Sequence, residues 1–137
     1  MRVVLDASMT AAWLFSDEQT EASMALLDQV AADGAVVPSL WHLEVASLLR
    51  SAERRGRCDR RIADAMIAEL EVLPIEVDQR THLTAWRETR SLSVEHGLTP
   101  YDAAYLELAL RLSLPLATGD GALIAAARQL NVAVLTP

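Results

Sequence analysis

Short apolar runs alternate with longer segments of helical periodicity along the chain. The runs are mostly valine, isoleucine, leucine and alanine without polar alternation, which is typical of parallel strands buried on both faces. They predict strands over 2–5, 35–37, 74–77, 114–118 and 132–135. The segments between them predict helices over 8–15, 18–33, 39–55, 59–72, 79–95, 99–112 and 120–130. This alternation predicts an α/β fold, a three-layer α/β/α sandwich around a parallel sheet of about five strands.

Length and composition indicate one globular domain over residues 1–137. The chain is 52% hydrophobic and 23% charged, and it is long enough to bury a core without disulfides. Its one cysteine, Cys58, allows no internal disulfide and fits a reducing compartment. No secretory pattern opens the chain, and no apolar run reaches the ~20 residues of a membrane span. We therefore expect a soluble, cytoplasmic protein with no membrane association.

The charges of the chain are unevenly distributed. A net charge of −7 argues against a broad nucleic-acid surface, but all 12 basic residues are arginines and half of them crowd around one helix junction. Of these, Arg50, Arg54 and Arg55 are candidate contacts for an RNA backbone or for an acidic partner protein. The alternative is a solvated junction in which Glu53 and Asp59 neutralise the arginines.

Three aspartates occupy positions where a ligand site is expected. Asp6 and Asp120 directly follow predicted strands, and ligands of parallel sheets bind outside the carboxyl ends of the strands. Asp102 lies in the first turn of a helix that Thr99 is expected to cap and Pro100 to begin. Each also has a structural explanation, since Asp6 and Asp120 are good N-caps and Asp102 is the acid expected in a capping box with Thr99.

A fourth acid, Glu44, lies on the apolar face of a predicted helix. Leu40 and Leu48 are four residues before and after it, so the carboxylate shares their face. Burying this charge is costly unless it binds a metal ion or pairs with an arginine, and both explanations stay open at this point.

Together, the four acids favour a metal site. Carboxylates that converge repel one another unless a cation or proton intervenes. Mg²⁺ and Mn²⁺ prefer carboxylate and water ligands and leave room for phosphate oxygens. The pattern therefore predicts phosphodiester hydrolysis at a site whose metal-binding and catalytic residues are Asp6, Glu44, Asp102 and Asp120.

The segments that contain these acids resemble the PIN-domain family, in particular VapC-like ribonuclease toxins. The matching stretches span nearly the whole chain in the family's order, and they cover 3–8, 41–45, 98–106 and 116–123. The resemblance implies a PIN-like α/β/α fold whose four acids bind Mg²⁺ or Mn²⁺ and cut single-stranded RNA. It also implies that Ser8 and Thr118 support the acids through hydrogen bonds. Some relatives carry a further acid after the fourth one, where this chain has Gly121, so the number of ions stays open.

The resemblance also implies partners. Relatives pair as homodimers and are held by a cognate antitoxin, which predicts both for this chain. We expect the apolar patch over 11–15 to serve as the interface, because so apolar a surface is rarely left exposed. Tyr101 and Tyr105 are expected in the core or in an interface rather than stacked on bases.

Two other classes of function are compatible with the sequence. One is a non-catalytic PIN-like protein-binding module, in which arginines pair with the four acids. The other is a phosphatase with Asp6 as its nucleophile, but that chemistry usually has a second acid where this chain has Ser8.

Overall fold

The computed structural model describes residues 1–137 and contains one five-stranded, all-parallel sheet. Along the sheet the strands run in the order β3-β2-β1-β4-β5. The strands are β1 (Val3–Leu5), β2 (Ala35–Val37), β3 (Ile75–Val77), β4 (Leu116–Ala117) and β5 (Val134–Leu135). The predicted α/β class and the places of all five strands are confirmed, and the strands are shorter than the apolar runs at several ends.

Eight α-helices connect or follow the strands. They are α1 (Ala7–Leu14), α2 (Glu21–Asp33), α3 (Trp41–Arg54), α4 (Arg60–Glu71), α5 (Thr81–Thr84), α6 (Arg90–His96), α7 (Pro100–Leu112) and α8 (Gly121–Gln129). A 3₁₀ turn (Ser16–Glu18) follows α1, and a π turn (Ala85–Thr89) joins α5 to α6. No helix is long and apolar enough to pass through a membrane.

The π turn interrupts what the sequence predicts as one continuous helix over 79–95. Thr84 and Thr89, five residues apart, are both buried, and the hydroxyl of Thr89 donates to that of Thr84 at 3.5 Å. A π turn places residues five apart on the same side of the helix, which an α-helix does not. The two threonines are therefore buried together at the expense of regular α-helical spacing.

The core lies on both faces of the sheet. Every residue of β1, β2 and β4 is buried, whereas the edge strands β3 and β5 are partly exposed. Strands buried on both faces need helices on both sides, which is the predicted three-layer arrangement. The buried hydrophobic residues form one cluster of 32.

The strand order determines where a site can form. From the central β1 the chain moves outward through β2 and β3, then returns to β4 and β5 on the other side. The carboxyl ends of β1 and β4 are therefore neighbours at the topological switch point, where α/β sheets bind ligands. The amide of Asp6 donates to the carbonyl of Ala117 at 2.9 Å, so the residues that follow these two strands lie side by side.

Thr99 is confirmed as the predicted cap of α7, whereas α1 and α3 begin without a side-chain cap. Thr99 caps α7 and Asp59 caps α4 through their side chains. Ser8 is not a cap, because α1 already begins at Ala7 and the hydroxyl of Ser8 hydrogen-bonds a carboxylate instead. Leu40 takes the cap position of α3 without a side-chain bond, so Ser39 is not a cap either.

The apolar patch over 11–15 is not a free surface, which corrects the prediction of an interface there. Ala11, Ala12, Trp13 and Phe15 are buried in the core of this chain. The indole N–H of Trp13 donates to the carbonyl of Ser23 at 2.8 Å, which ties α1 to α2. The patch is covered by the chain's own second helix.

Candidate metal centre

The four acids predicted from the sequence line one open pocket of about 390 Å³. Asp6 directly follows β1, and Asp120 lies in the loop after β4, while Glu44 and Asp102 project from α3 and from the first turn of α7. The lining residues are Asp6, Ala7, Ser8, Glu44, Ser47, Leu48, Ser51, Asp102 and Asp120. The fold therefore brings together acids that are far apart in the sequence.

Asp6 is the most buried of the four, with 5% of its surface exposed. Its Oδ2 atom accepts hydrogen bonds from the hydroxyls of Ser8 at 2.6 Å and Thr118 at 2.7 Å. Burial raises the pKa of Asp6, the two hydroxyls oppose that rise, and the charge of Asp120 adds to it. Although Asp6 stands at the N-cap position of α1, its side chain makes no cap bond, so the capping explanation is wrong for this residue.

Ser8 and Thr118 link the two strand ends as well as orienting Asp6. Besides donating to Asp6, the hydroxyl of Ser8 accepts from the amide of Gly119 at 3.0 Å. The hydroxyl of Thr118 accepts from the amide of Asp120, also at 3.0 Å. Each hydroxyl thus uses both its donor and its acceptor capacity. The network fixes the loop after β4 against the start of α1.

Glu44 is held by a residue whose role the sequence did not reveal. The hydroxyl of Tyr105, a fully buried core residue, donates to Oε1 of Glu44 at 2.5 Å. Burial raises the pKa of Glu44, the bond from Tyr105 opposes the rise, and the charges of Asp6 and Asp102 add to it. Tyr105 lies three residues after Asp102 on one helix, and this spacing was the available signal.

No arginine pairs with Glu44 or with any of the other three acids. The explanation of Glu44 as half of an ion pair is therefore wrong. The protein-binding alternative, which needs these acids to be paired with arginines, loses its structural support.

Of the remaining two acids, Asp120 combines helix capping with a place in the pocket, whereas Asp102 contributes only its amide to the cap of α7. Asp120 caps α8 through Oδ1, which accepts from the amide of Leu123 at 2.9 Å. The amide of Asp102 donates to the hydroxyl of Thr99 at 3.1 Å, as expected for the start of α7. Burial and the charges of Asp120 and Asp6 raise the pKa of Asp102. The capping explanation is therefore confirmed for Asp120, where it is compatible with a place in the site, whereas the carboxylate of Asp102 does not complete the predicted capping box.

The donor set fits a hard divalent cation. All side chains of the pocket that could coordinate an ion would do so through oxygen, and burial together with neighbouring carboxylates raises the pKa of Asp6, Glu44 and Asp102. No three of these groups are close enough to hold one ion directly. Mg²⁺ typically takes one or two carboxylates and completes its shell with water and phosphate oxygens, so this separation fits Mg²⁺ or Mn²⁺.

The candidate arginines lie outside the pocket. Arg50, Arg54 and Arg55 are exposed and form no ion pair within 4.0 Å, which is compatible both with an anionic ligand and with a solvated junction. Among the arginines of this junction only Arg57 is paired. Its Nη2 atom donates to both carboxylate oxygens of Asp17 at 2.9 and 3.0 Å, and its Nη1 atom lies 2.9 Å from Oε2 of Glu18. The unpaired guanidinium groups stay available for an anionic ligand.

Two further residues of the pocket, Ser47 and Ser51, were missed. They follow Glu44 by three and seven residues on α3, which is the spacing of one helix face. Helical periodicity around Glu44 would have found them.

Comparison with known proteins agrees with this geometry. The PIN domain family matches residues 3–136, and the chain therefore belongs to the PIN domain family. Within it the chain is VapC-like: it is 31% identical to Ribonuclease VapC3 of Pyrobaculum aerophilum over 120 residues, 88% of this chain and 90% of that protein. Ribonuclease VapC1 of Mycobacterium tuberculosis is 35% identical over 89 residues, 65% of each chain.

Solved structures share the fold across the whole chain. VapBC2 from Rickettsia felis, bound to a DNA fragment from its promoter, has a TM-score of 0.71 at 13% identity, with coverage of 100% of this chain and 99% of that one. FitAcB from Neisseria gonorrhoeae has a TM-score of 0.66 at 21% identity, with coverage of 98% and 96%. At these identities the likeness concerns the fold alone.

Proposed function

We propose that this protein is a Mg²⁺- or Mn²⁺-dependent endoribonuclease that hydrolyses phosphodiester bonds in single-stranded RNA. The observation that carries the proposal is the pocket at the switch point, lined by four carboxylates with no cationic side chain among them. Such a pocket repels an RNA phosphate unless a divalent ion is bound. The ribonuclease names of the VapC relatives support the same activity.

Asp6, Glu44, Asp102 and Asp120 are the residues that would hold the ion, directly or through water. A bound divalent ion supplies charge for the phosphate and lowers the pKa of a water molecule. Ser8 and Thr118 act through Asp6, since their hydroxyls fix its Oδ2 atom and leave Oδ1 directed to other partners.

Proton transfer is a second role open to the acids of the pocket. A bound divalent ion would lower the pKa of the carboxylates that contact it, so the general base would be an acid that holds the ion only through water. Glu44 and Asp102 are half-buried and line the open pocket, so either can accept a proton from an attacking water. Tyr105 holds one oxygen of Glu44 and leaves the other free for this role.

The proposed biological role is that of the toxin in a toxin–antitoxin pair, as a cytoplasmic homodimer with a cognate antitoxin. The VapC-like sequence supports this role. Because the patch over 11–15 is buried, the contacts must use other residues. Leu83, Trp86 and Val94 are exposed along α5, the π turn and α6, with Trp86 86% exposed. This apolar side of the chain is available to a second copy or an antitoxin.

The test is cleavage of labelled single-stranded RNA with Mn²⁺, together with Mn²⁺ binding by calorimetry. Asp6→Asn is expected to reduce cleavage by about a hundredfold or more and to weaken Mn²⁺ binding, because it removes a charge from the site. Asp64→Asn, an exposed acid on α4, is the matched control and should behave as wild type. A folded wild type that binds no Mn²⁺ would refute the proposal.

A further inference from the structure

Two serines of α3 line the acidic pocket and have no hydrogen-bond partner in the chain. Ser47 is exposed and Ser51 half-buried, and both line the pocket together with the four acids. The third serine of the pocket differs, because the hydroxyl of Ser8 is fully used by Asp6 and by the amide of Gly119. Ser47 and Ser51 therefore keep their donor capacity for a ligand.

These hydroxyls matter because of what surrounds them. The other polar side chains of the pocket are carboxylates, which accept hydrogen bonds and repel anions. A phosphate of an RNA backbone also only accepts hydrogen bonds, so it needs donors wherever it is not next to a cation. Ser47 and Ser51 are the free side-chain donors of this pocket, and they are neutral.

The same face of α3 continues to the unpaired arginines. Ser47, Ser51 and Arg55 follow Glu44 by three, seven and eleven residues, which keeps them on one side of the helix. At about 1.5 Å per residue, they lie roughly 4.5, 10.5 and 16.5 Å further along the axis than Glu44. Arg55 is the C-cap and keeps helical backbone angles, and with its neighbour Arg54 it is exposed and unpaired. Along this face of α3 a carboxylate is followed by two neutral hydroxyl donors and then by two guanidinium groups.

We propose that Ser47 and Ser51 are positioning residues that hydrogen-bond the RNA backbone next to the cleaved bond, and that Arg54 and Arg55 bind phosphates further along the same strand. This inference rests on the proposed ribonuclease function and adds the path of the RNA along α3. An acidic protein segment is the competing ligand, because its carboxylates could also accept from these donors, and the salt-dependence experiment separates the two.

The proposed contacts of Ser47 and Ser51 with RNA are tested by steady-state cleavage of a labelled substrate. The substrate is a random-sequence, fluorescein-labelled single-stranded RNA about 12 nucleotides long. Ser47→Ala and Ser51→Ala should each raise KM by about threefold to tenfold, because each removes one hydrogen bond to the substrate, while kcat changes little. Ser47→Thr keeps the hydroxyl and should restore KM. Ser91→Ala, at an exposed serine of α6, is the matched control. Serine variants with a wild-type KM would overturn the inference.

The proposed contacts of Arg54 and Arg55 with RNA phosphates are tested by the salt dependence of kcat/KM on the same RNA. Each phosphate contact that is lost should make the slope of log kcat/KM against log salt shallower by about 0.7. Arg54→Gln/Arg55→Gln should therefore flatten it by about 1.4. Arg90→Gln, at the exposed start of α6, should leave it unchanged. Polyglutamate, added as an inhibitor, stands in for an acidic protein partner. If the double variant keeps the wild-type slope but is inhibited less by polyglutamate, the arginines bind an acidic protein and the RNA path is overturned.

The ribonuclease function and the RNA path along α3 are refuted by different results. If wild type and Asp6→Asn show the same background cleavage, the ribonuclease proposal itself is refuted. If wild type cleaves RNA, Asp6→Asn does not, and the serine and arginine variants match their controls, only the path along α3 is refuted.

Discussion

The hydrogen bond between Tyr105 and Glu44 offers a sharp test of how the pocket is held. Tyr105→Phe removes a single hydroxyl from the core and leaves the ring that packs there. That hydroxyl donates to Oε1 of Glu44 at 2.5 Å, across a separation of 61 residues in the sequence. The variant therefore deletes one contact between α3 and α7 without creating a large cavity.

The magnitude follows from the kind of hydrogen bond. A hydrogen bond to a charged acceptor contributes about 1.5–3 kcal/mol to the free energy of unfolding. Glu44 is half-buried and can regain a water molecule, so the lower end applies, about 1.5 kcal/mol. For a chain of this size that corresponds to a Tm lower by about 5 °C. Since the bond lowers the pKa of Glu44, its loss should also raise that pKa further.

Activity should fall together with stability. If Glu44 helps to hold the divalent ion, loss of the side chain that orients it should reduce Mn²⁺ affinity and cleavage by about 10- to 100-fold. Because Tyr105 acts through Glu44, Tyr105→Phe should have little added effect in a Glu44→Gln background. A double-mutant cycle measures this coupling in both Tm and kcat/KM.

A matched control is available in the same helix. Tyr101 is 65% exposed and makes no hydrogen bond, so Tyr101→Phe should retain wild-type stability and cleavage. If Tyr105→Phe behaves like Tyr101→Phe, the bond has no energetic role. If its effects persist undiminished in Glu44→Gln, the hydroxyl acts on another group.

Two further predictions concern charge. At neutral pH and without divalent ions, Asp6→Asn should have a higher free energy of unfolding than wild type in denaturant. Burial raises the pKa of Asp6, so its ionised form disfavours the folded state. The difference should disappear as the pH falls through the raised pKa, because Asp6 is then protonated in the wild type. A less stable variant at neutral pH would contradict this. Arg111→Met should cost about 3 kcal/mol, because it leaves the carboxylates of Asp78 and Glu107 unpaired. Burial alone would raise the pKa of Asp78, but Arg111 holds that pKa below 3.8. The ion pair therefore stabilises the folded state above that pH, and the stabilisation is lost in strong acid, where Asp78 is protonated. The loss of stability caused by Arg111→Met should shrink in strong acid, and a loss that is independent of pH would count against the pairing.

Local pattern determined much of this protein. Unbroken apolar runs predicted five parallel strands, and all five were found. β1, β2 and β4 are fully buried, and such strands show these runs because a strand covered on both faces tolerates few polar residues. Thr99 and Pro100 defined the start of α7, because a cap satisfies amides within one turn. The positions of Asp6 and Asp120 after strands located the site at one edge of the sheet, since carboxyl ends of parallel strands share that edge.

Only the tertiary structure decided which partners these groups have. The sequence predicted a surface over 11–15, but the packing of α2 on α1 buries it, and Trp13 reaches the carbonyl of Ser23. It left open whether an arginine pairs with Glu44, and the structure supplies the hydroxyl of Tyr105 instead. Periodicity reports which face of an element is apolar. Partners come from strand order and helix packing, which a single element does not encode.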